Sequence, residues 1–135
     1  MANLVLRYSL YSVKEEIDII EIAKRLPKEN VKGIYRLGEK KGKYFSKEHA
    51  VDYIYRYQNI NSVSDICRIF FNDWQQYSSI VKELHLNGFE SHLLFEFDIF
   101  DSNFPEFYYE NKFLSFLANI GAELQLYFYT GSSSR

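Results

Sequence analysis

The sequence predicts a single α+β domain: a mainly antiparallel sheet of about five strands, with three to four helices packed on one face. Several segments alternate apolar and polar residues with the two-residue period of a half-buried strand. Others place apolar residues at i, i+3, i+4 and i+7, which is typical of a helix with one buried stripe. The 135 residues suit one domain with its own core. We assign residues 1–130 to this domain and 131–135 to a flexible C-terminal tail.

Residues 4–26 predict a strand followed by a helix. The strand alternates over 4–11, with Leu4, Leu6, Tyr8 and Leu10 on one face. Ser12 and Glu15 have the spacing of a capping box, which predicts that the helix begins there. Its apolar stripe runs to Leu26, and Pro27 ends it because proline lacks the amide donor and its ring clashes with the preceding turn.

Residues 28–48 are basic and carry spaced glycines. We predict a short strand over 33–37 and a mobile, solvated loop over 38–43, because the glycine–lysine motif of a phosphate-binding loop is incomplete. The next strand places four side chains on one face: Val51, Tyr53, Tyr55 and Tyr57.

Two further helices are predicted between residues 62 and 88. The first begins at Ser62 and is interrupted at Asn72-Asp73. Asp73 caps the second, which ends at Asn87-Gly88. Trp74 is predicted to anchor the core, and Cys67 to be a buried structural thiol.

The stretch 92–130 predicts a strand, an aromatic loop, a helix and a second strand. Four apolar residues at helical spacing form the stripe of this helix: Phe113, Phe116, Leu117 and Ile120. Gly121 stands where a helix ends in a residue of positive φ. This order predicts a βαβ unit.

Composition and charge narrow the class of protein. Aromatic residues make up 19% of the chain, which predicts either a tyrosine-rich outer sheet face or a binding surface. Residues 24–47 carry nine Lys or Arg against two Glu, whereas 90–110 carry six acids and no Lys or Arg. These segments are either solvated faces or the electrostatic footprint of a partner. A single cysteine and the lack of a signal-like start or a long apolar run predict a cytoplasmic protein.

No catalytic, cofactor or metal site is predicted. The three histidines lack metal-ligand spacing. Glu96 and Asp98, with Asp101 beyond them, leave a divalent-cation site conceivable, but acids alternating along a strand are more often its solvated face.

The loop 101–110 is the candidate partner-binding segment, because it crowds four aromatic rings among acids. Aromatic residues are enriched among those that dominate binding energy, and acids attract a basic partner. The predicted partner-binding residues, including two from the preceding strand, are Glu96, Asp98, Asp101, Glu106, Tyr108, Tyr109 and Glu110.

The opening LVLRYSLYS, the glycine-bearing basic loop and the ending FLSFLANIGAELQLYFY resemble the bacterial domain of unknown function 4279 family. The resemblance implies a compact α+β domain without an established activity. Small, acidic, aromatic-rich α+β proteins are also similar in type to the immunity proteins of bacterial toxin systems.

The leading hypothesis is therefore a non-enzymatic protein-binding domain, most concretely an immunity protein for a cognate toxin such as a nuclease. A nuclease site is built to hold phosphates, so an acidic surface would imitate its substrate. The alternatives are an uncharacterised regulatory or ligand-binding module, and a nucleic-acid-binding protein that uses residues 24–47.

Overall fold

The computed structural model describes residues 2–100 and 104–130. The proposed tail, 131–135, and Asp101 lie outside these ranges. The elements are β1 (Ala2–Ser12), α1 (Ile19–Lys24), β2 (Val31–Tyr35), β3 (Lys40–Lys41), β4 (Tyr44–Phe45), β5 (His49–Ile60), α2 (Val63–Trp74), a 3₁₀ turn (Gln75–Tyr77), α3 (Ser78–Leu86), β6 (Glu90–Ile99), α4 (Asn111–Asn119) and β7 (Ala122–Thr130).

The main sheet has five strands in the order β2-β5-β1-β6-β7. The pairs β2–β5, β5–β1 and β1–β6 are antiparallel, whereas β7 runs parallel to β6. A parallel pair needs a crossover, and α4 supplies it. The predicted mainly antiparallel α+β domain and its terminal βαβ unit are confirmed.

The helices cover one face of this sheet, which we call the inner face. Alternate strand residues point into it and are buried: Leu4, Leu6, Tyr8 and Leu10 on β1, Val51, Tyr53 and Tyr55 on β5, and Leu93, Phe95, Phe97 and Ile99 on β6. The predicted helical stripes meet them, with Phe70 and Trp74 from α2 and Phe113 from α4 in the same core. Burial of these apolar faces is the main stabilising term of the fold.

An aromatic cluster fills the space between β1, β5 and α2. The ring centroid of Trp74 lies 4.8 Å from those of both Tyr8 and Tyr53, with the rings edge to face. Trp74 Nε1 donates a hydrogen bond to the Tyr55 hydroxyl at 2.9 Å. These three tyrosines therefore lie on the inner face, with the apolar residues of β1 and β5 with which the alternation groups them.

The predicted start of α1 is wrong. Ser12 is the last residue of β1, and its hydroxyl accepts a hydrogen bond from the Lys14 amide. The helix begins at Ile19, where Asp18 caps the amide of Glu21. Tertiary pairing extends β1 past the local capping signal, because Tyr11 and Ser12 still pair with β5.

The break between the next two helices comes later than predicted. The helix α2 continues through Asn72 and Asp73 to Trp74, and a 3₁₀ turn then leads into α3. Asp73 is inside α2 and caps nothing. The end at Asn87-Gly88 is confirmed, with Gly88 at a φ of 95°.

The predicted mobile loop is a small hairpin. Its strands β3 and β4 pair Lys40 with Phe45 and Lys41 with Tyr44. Gly42 has a φ of 61°, which the tight turn requires. No helix in the described part of the chain is long and apolar enough to cross a membrane.

Candidate protein-binding surface

The face of the sheet opposite the helices, the outer face, carries two of the predicted binding residues. Glu96 and Asp98 alternate with the buried residues of β6 and therefore point to this face. The parallel register places Tyr127 beside Glu96 and Tyr129 beside Asp98. The centroids of the two tyrosine rings are 4.8 Å apart. We call these four residues the tyrosine–acid patch.

The patch borders a shallow hollow of about 410 Å³ on the outer face. Glu96 accepts a charge-assisted hydrogen bond from Nε of Arg7 on the neighbouring strand β1. This contact holds its carboxylate in a defined position and offsets part of its negative charge. Asp98 and Tyr129 line the same hollow, as does Arg56 from β5.

The loop 104–110 lies on the other side of the sheet, against the helices. Its backbone is fixed by two hydrogen bonds, from the Glu106 amide to the Asn61 carbonyl and from the Val63 amide to the Glu106 carbonyl. Phe107 packs edge-on against Phe97 and Phe128, which are both inner-face residues. The loop thus closes the end of the core and is held there.

Two of the predicted residues in this loop have structural partners. The Tyr109 ring packs against Phe95 and Phe113, and burial raises the pKa of its hydroxyl. Glu110 accepts a hydrogen bond from Arg68 Nε at 2.6 Å. Tyr109 is therefore partly buried and packed against the core, whereas Tyr108 is 56% exposed.

The predicted set does not form one continuous patch. Glu96 and Asp98 are on the outer face, whereas Glu106, Tyr108 and Glu110 are on the helix side. The sequence could not separate them, because they follow one another within fifteen residues of the chain. Whether any of them contacts a partner stays a prediction.

The comparisons were made with protein-family models, curated proteins and solved structures. None of the three finds a match. The resemblance to the domain of unknown function 4279 family and to immunity proteins accordingly stays a prediction.

Sequence reasoning missed the last strand as a functional candidate. Leu124, Leu126 and Phe128 of β7 face the helix side and Tyr127 and Tyr129 the outer face, yet all five remain substantially exposed. The alternation in the sequence predicted a packed strand. Its position at the edge of the sheet, which the alternation does not encode, leaves these side chains uncovered.

The basic segment 24–47 is spread over two places. Lys24, Arg25 and Lys28 line a polar cleft of about 550 Å³ beside the end of α2. Lys40, Lys41 and Lys43 belong to the β3–β4 hairpin, where the Lys41 ammonium lies 4.0 Å from Asp52 and 3.8 Å above the Tyr35 ring.

The hairpin also displays two strongly exposed rings, Tyr44 at 77% and Phe45 at 66%. They lie next to Lys43 and pair with Lys41 and Lys40. Charge and stackable rings thus occur together on this hairpin.

Cys67 is buried on α2, as predicted. Burial raises the pKa of its thiol to about 12, so the thiolate is scarce at neutral pH. In the described residues, no group of three or more His, Cys, Asp or Glu side chains is placed to hold a metal ion.

Proposed function

We propose that this chain is a non-enzymatic protein-binding domain, most concretely an immunity protein that binds and neutralises a bacterial toxin domain in the cytoplasm. The observation that carries the proposal is the tyrosine–acid patch on a sheet face that the helices leave open. Tyrosine supplies a large, rigid contact area with a polar end, and it is enriched among residues that dominate binding energy.

The carboxylates of the patch define the kind of partner. Glu96 and Asp98 would attract a basic surface and increase its rate of association. If the toxin is a nuclease, its phosphate-binding groups provide such a surface. The bond from Arg7 orients Glu96 in advance, which reduces the entropy lost on binding.

A growth experiment tests this function. The chain is co-expressed with the protein encoded immediately beside it, which is where an immunity gene has its toxin gene. We expect the wild-type chain to protect growth and the double variant Tyr127→Ala/Tyr129→Ala to protect poorly. The matched control, Tyr44→Ala/Phe45→Ala, removes two exposed rings elsewhere and should protect fully. Growth inhibition that the wild-type chain fails to relieve, or equal protection by both variants, contradicts the proposal.

The role of charge is tested separately with the purified pair. Glu96→Gln with Asp98→Asn keeps the shape of the patch and removes its charge. We expect association to slow at low ionic strength, with a smaller difference at high salt because ions screen exposed charges. Glu110→Gln on the helix side is the control. An unchanged association rate at low salt would exclude electrostatic steering by the patch.

A second candidate function is single-stranded nucleic acid binding by the β3–β4 hairpin. It is favoured by the exposed Tyr44 and Phe45 rings beside lysines, since aromatic stacking and cationic side chains together bind unpaired bases. Fluorescence anisotropy with a labelled oligouridine is the test. Binding that Tyr44→Ala/Phe45→Ala weakens, while Tyr127→Ala/Tyr129→Ala does not, would support this function; absence of binding at low salt would exclude it.

A further inference from the structure

The strand β7 forms one edge of the sheet and pairs with β6 on one side. In residues 2–100 and 104–130, no strand pairs with its other side. An unpaired edge presents a row of backbone N–H and C=O groups, and these groups can bind another strand. A chain that binds this edge must therefore present an extended strand.

The two edges of the sheet differ in how they are protected. The opposite edge, β2, has five residues, a register irregularity between Val31 and Gly33, and an exposed Lys32. Short length, irregular pairing and lysine are devices that discourage pairing with another chain. By contrast, β7 has nine residues, an unbroken register with β6 and neither proline nor lysine.

The exposed side chains of β7 are mainly apolar or aromatic. Five of them are 37–49% exposed: Leu124, Leu126, Tyr127, Phe128 and Tyr129. Glu123 is the one charged residue of the strand. Covering these side chains would therefore remove apolar surface from water on both faces of the strand, which is favourable.

We propose that β7 pairs antiparallel with β7 of a second copy, around a two-fold axis at Leu126. This register overlaps all nine residues and keeps inner-face residues opposite inner-face residues. Leu124 then lies opposite Phe128, and Gln125 opposite Tyr127. Glu123 lies opposite Tyr129, so no like charges face each other across the axis. The strand is thus complementary to itself, as a two-fold interface requires.

The area available agrees with a dimer of modest affinity. With about 200 Å² for a fully exposed large side chain, the five exposed fractions amount to roughly 400 Å² per copy and roughly 800 Å² for two, of which the dimer buries a part because Tyr127 and Tyr129 stay displayed on the outer face. The backbone strip and the exposed part of Phe107, which packs on Phe128, add to this. The total stays below the about 1,200 Å² at which stable specific interfaces begin, which predicts a weak dimer.

The dimer would join two five-stranded sheets into one continuous sheet. Tyr127 and Tyr129 keep their place on the outer face, so each copy still displays its tyrosine–acid patch. The inference is therefore independent of the proposed function, and either can fail without the other.

Two double variants of the full chain test the register. Both carry Tyr127→Lys; one adds Gln125→Lys and the other Gln125→Glu. In the proposed register residue 125 of each copy faces residue 127 of the other. Two copies of the first variant therefore repel each other at both pairs, whereas two copies of the second attract each other. Sedimentation equilibrium should give a dimer for the wild-type chain and for Gln125→Glu/Tyr127→Lys. We expect the dissociation constant of Gln125→Lys/Tyr127→Lys to be at least about tenfold higher than that of its counterpart.

Both positions are exposed, so circular dichroism should show that both variants remain folded. A second measurement needs no variant: amide hydrogen exchange over 122–130 should slow as the wild-type concentration rises, whereas exchange over 31–35 should not. The proposal is overturned if the wild-type chain is monomeric at about 0.5 mM. It is also overturned if the two double variants dimerise equally, or if exchange at β7 does not depend on concentration.

Discussion

At the scale of single residues, the core of this chain holds several phenols and one thiol in their neutral forms. Burial raises the pKa of Tyr55 from its ordinary value of 10.0 to about 12, and that of Cys67 from 9.0 to about 12. Burial also raises the pKa of Tyr8, Tyr53 and Tyr109. Each shift reflects the cost of placing a charge in an apolar environment.

These shifts predict alkaline unfolding. The groups deprotonate in the unfolded chain from about pH 9–10 upward, whereas in the folded chain they stay protonated to higher pH. The unfolded state then binds fewer protons, so the free energy of unfolding falls as pH rises from their ordinary pKa values through their folded ones. Urea denaturation at a series of alkaline pH values measures this. A free energy of unfolding that does not change across the alkaline range would contradict the assignment of these groups to the core.

A second prediction at this scale concerns the Tyr55 hydroxyl. Tyr55→Phe leaves the indole N–H of Trp74 buried without its acceptor, and a buried unsatisfied donor costs about 1–3 kcal/mol. Tyr57→Phe is the control, because Tyr57 lies two residues further along the same strand and is only partly buried. Urea denaturation of both variants measures the difference. Equal stabilities would show that the hydrogen bond contributes little.

At the scale of elements, one glycine lies in the tight connection between α4 and β7. Gly121 has a φ of 71°, and a Cβ there would lie 2.6 Å from the His85 ring of α3. The backbone angle therefore favours glycine at this position, and a Cβ would also displace the His85 ring. Gly38 in the hairpin region also has a positive φ, 84°, but a Cβ there would meet nothing within 4 Å.

Alanine substitutions at Gly38 and Gly121 therefore form a matched pair of variants. Gly38→Ala should cost about 1–2 kcal/mol from backbone strain alone. Gly121→Ala should cost about 1 kcal/mol more, because the exposed His85 ring must also turn away from its hydrogen bond with the Phe89 carbonyl. Thermal and urea denaturation measure both. A Gly121→Ala cost no larger than that of Gly38→Ala would show that α3 yields easily at this contact.

Two elements extend beyond the residues at which the local sequence predicts a boundary. The capping signal at Ser12 is overridden, because the neighbouring strand continues to pair with β1 beyond it. The predicted break at Asp73 is overridden in the same way, since α2 continues through it and Trp74, the last residue of the helix, packs in the core. In both cases a long-range contact outweighs a preference of about 1 kcal/mol.

At the scale of the whole molecule, β1 is the strand on which the sheet is assembled. It pairs with β5 and β6, which lie about fifty and about ninety residues away along the chain, respectively. The inner faces of all three strands enter one core. Such non-local pairing predicts that the sheet and the helices unfold together in one transition.

The single Trp74 provides the probe for this prediction. Its fluorescence reports the core, and far-ultraviolet circular dichroism reports the helices and strands. The two urea transitions should coincide. Leu6→Ala, at the buried centre of β1, should shift both equally and cost about 2–5 kcal/mol, whereas Val5→Ala on the outer face should cost less. Transitions that separate in Leu6→Ala would contradict a single cooperative unit.

Much of the fold could be predicted from the sequence, because periodicity is local information. The alternation in β1, β5 and β6 identified the residues that are buried, and the stripe of α4 was correct at Phe113, Phe116, Leu117 and Ile120. The positive φ of Gly121 followed from its place after that stripe. The candidate binding residues stay a prediction, and the sequence did not show that Glu96 and Asp98 lie on the outer face whereas Tyr109 packs against the core.

By itself, then, the sequence determined the fold class, most of the elements and which face of each strand is buried. Only the tertiary structure decided that β7 is an edge, that Arg7 pairs with Glu96, and that the loop 104–110 packs on the helix side. The physical reason is that strand order and ion pairing join residues far apart in the chain. A strand shows the same alternation at the centre of a sheet and at its edge, whereas the surface available to a partner depends on which of the two it is.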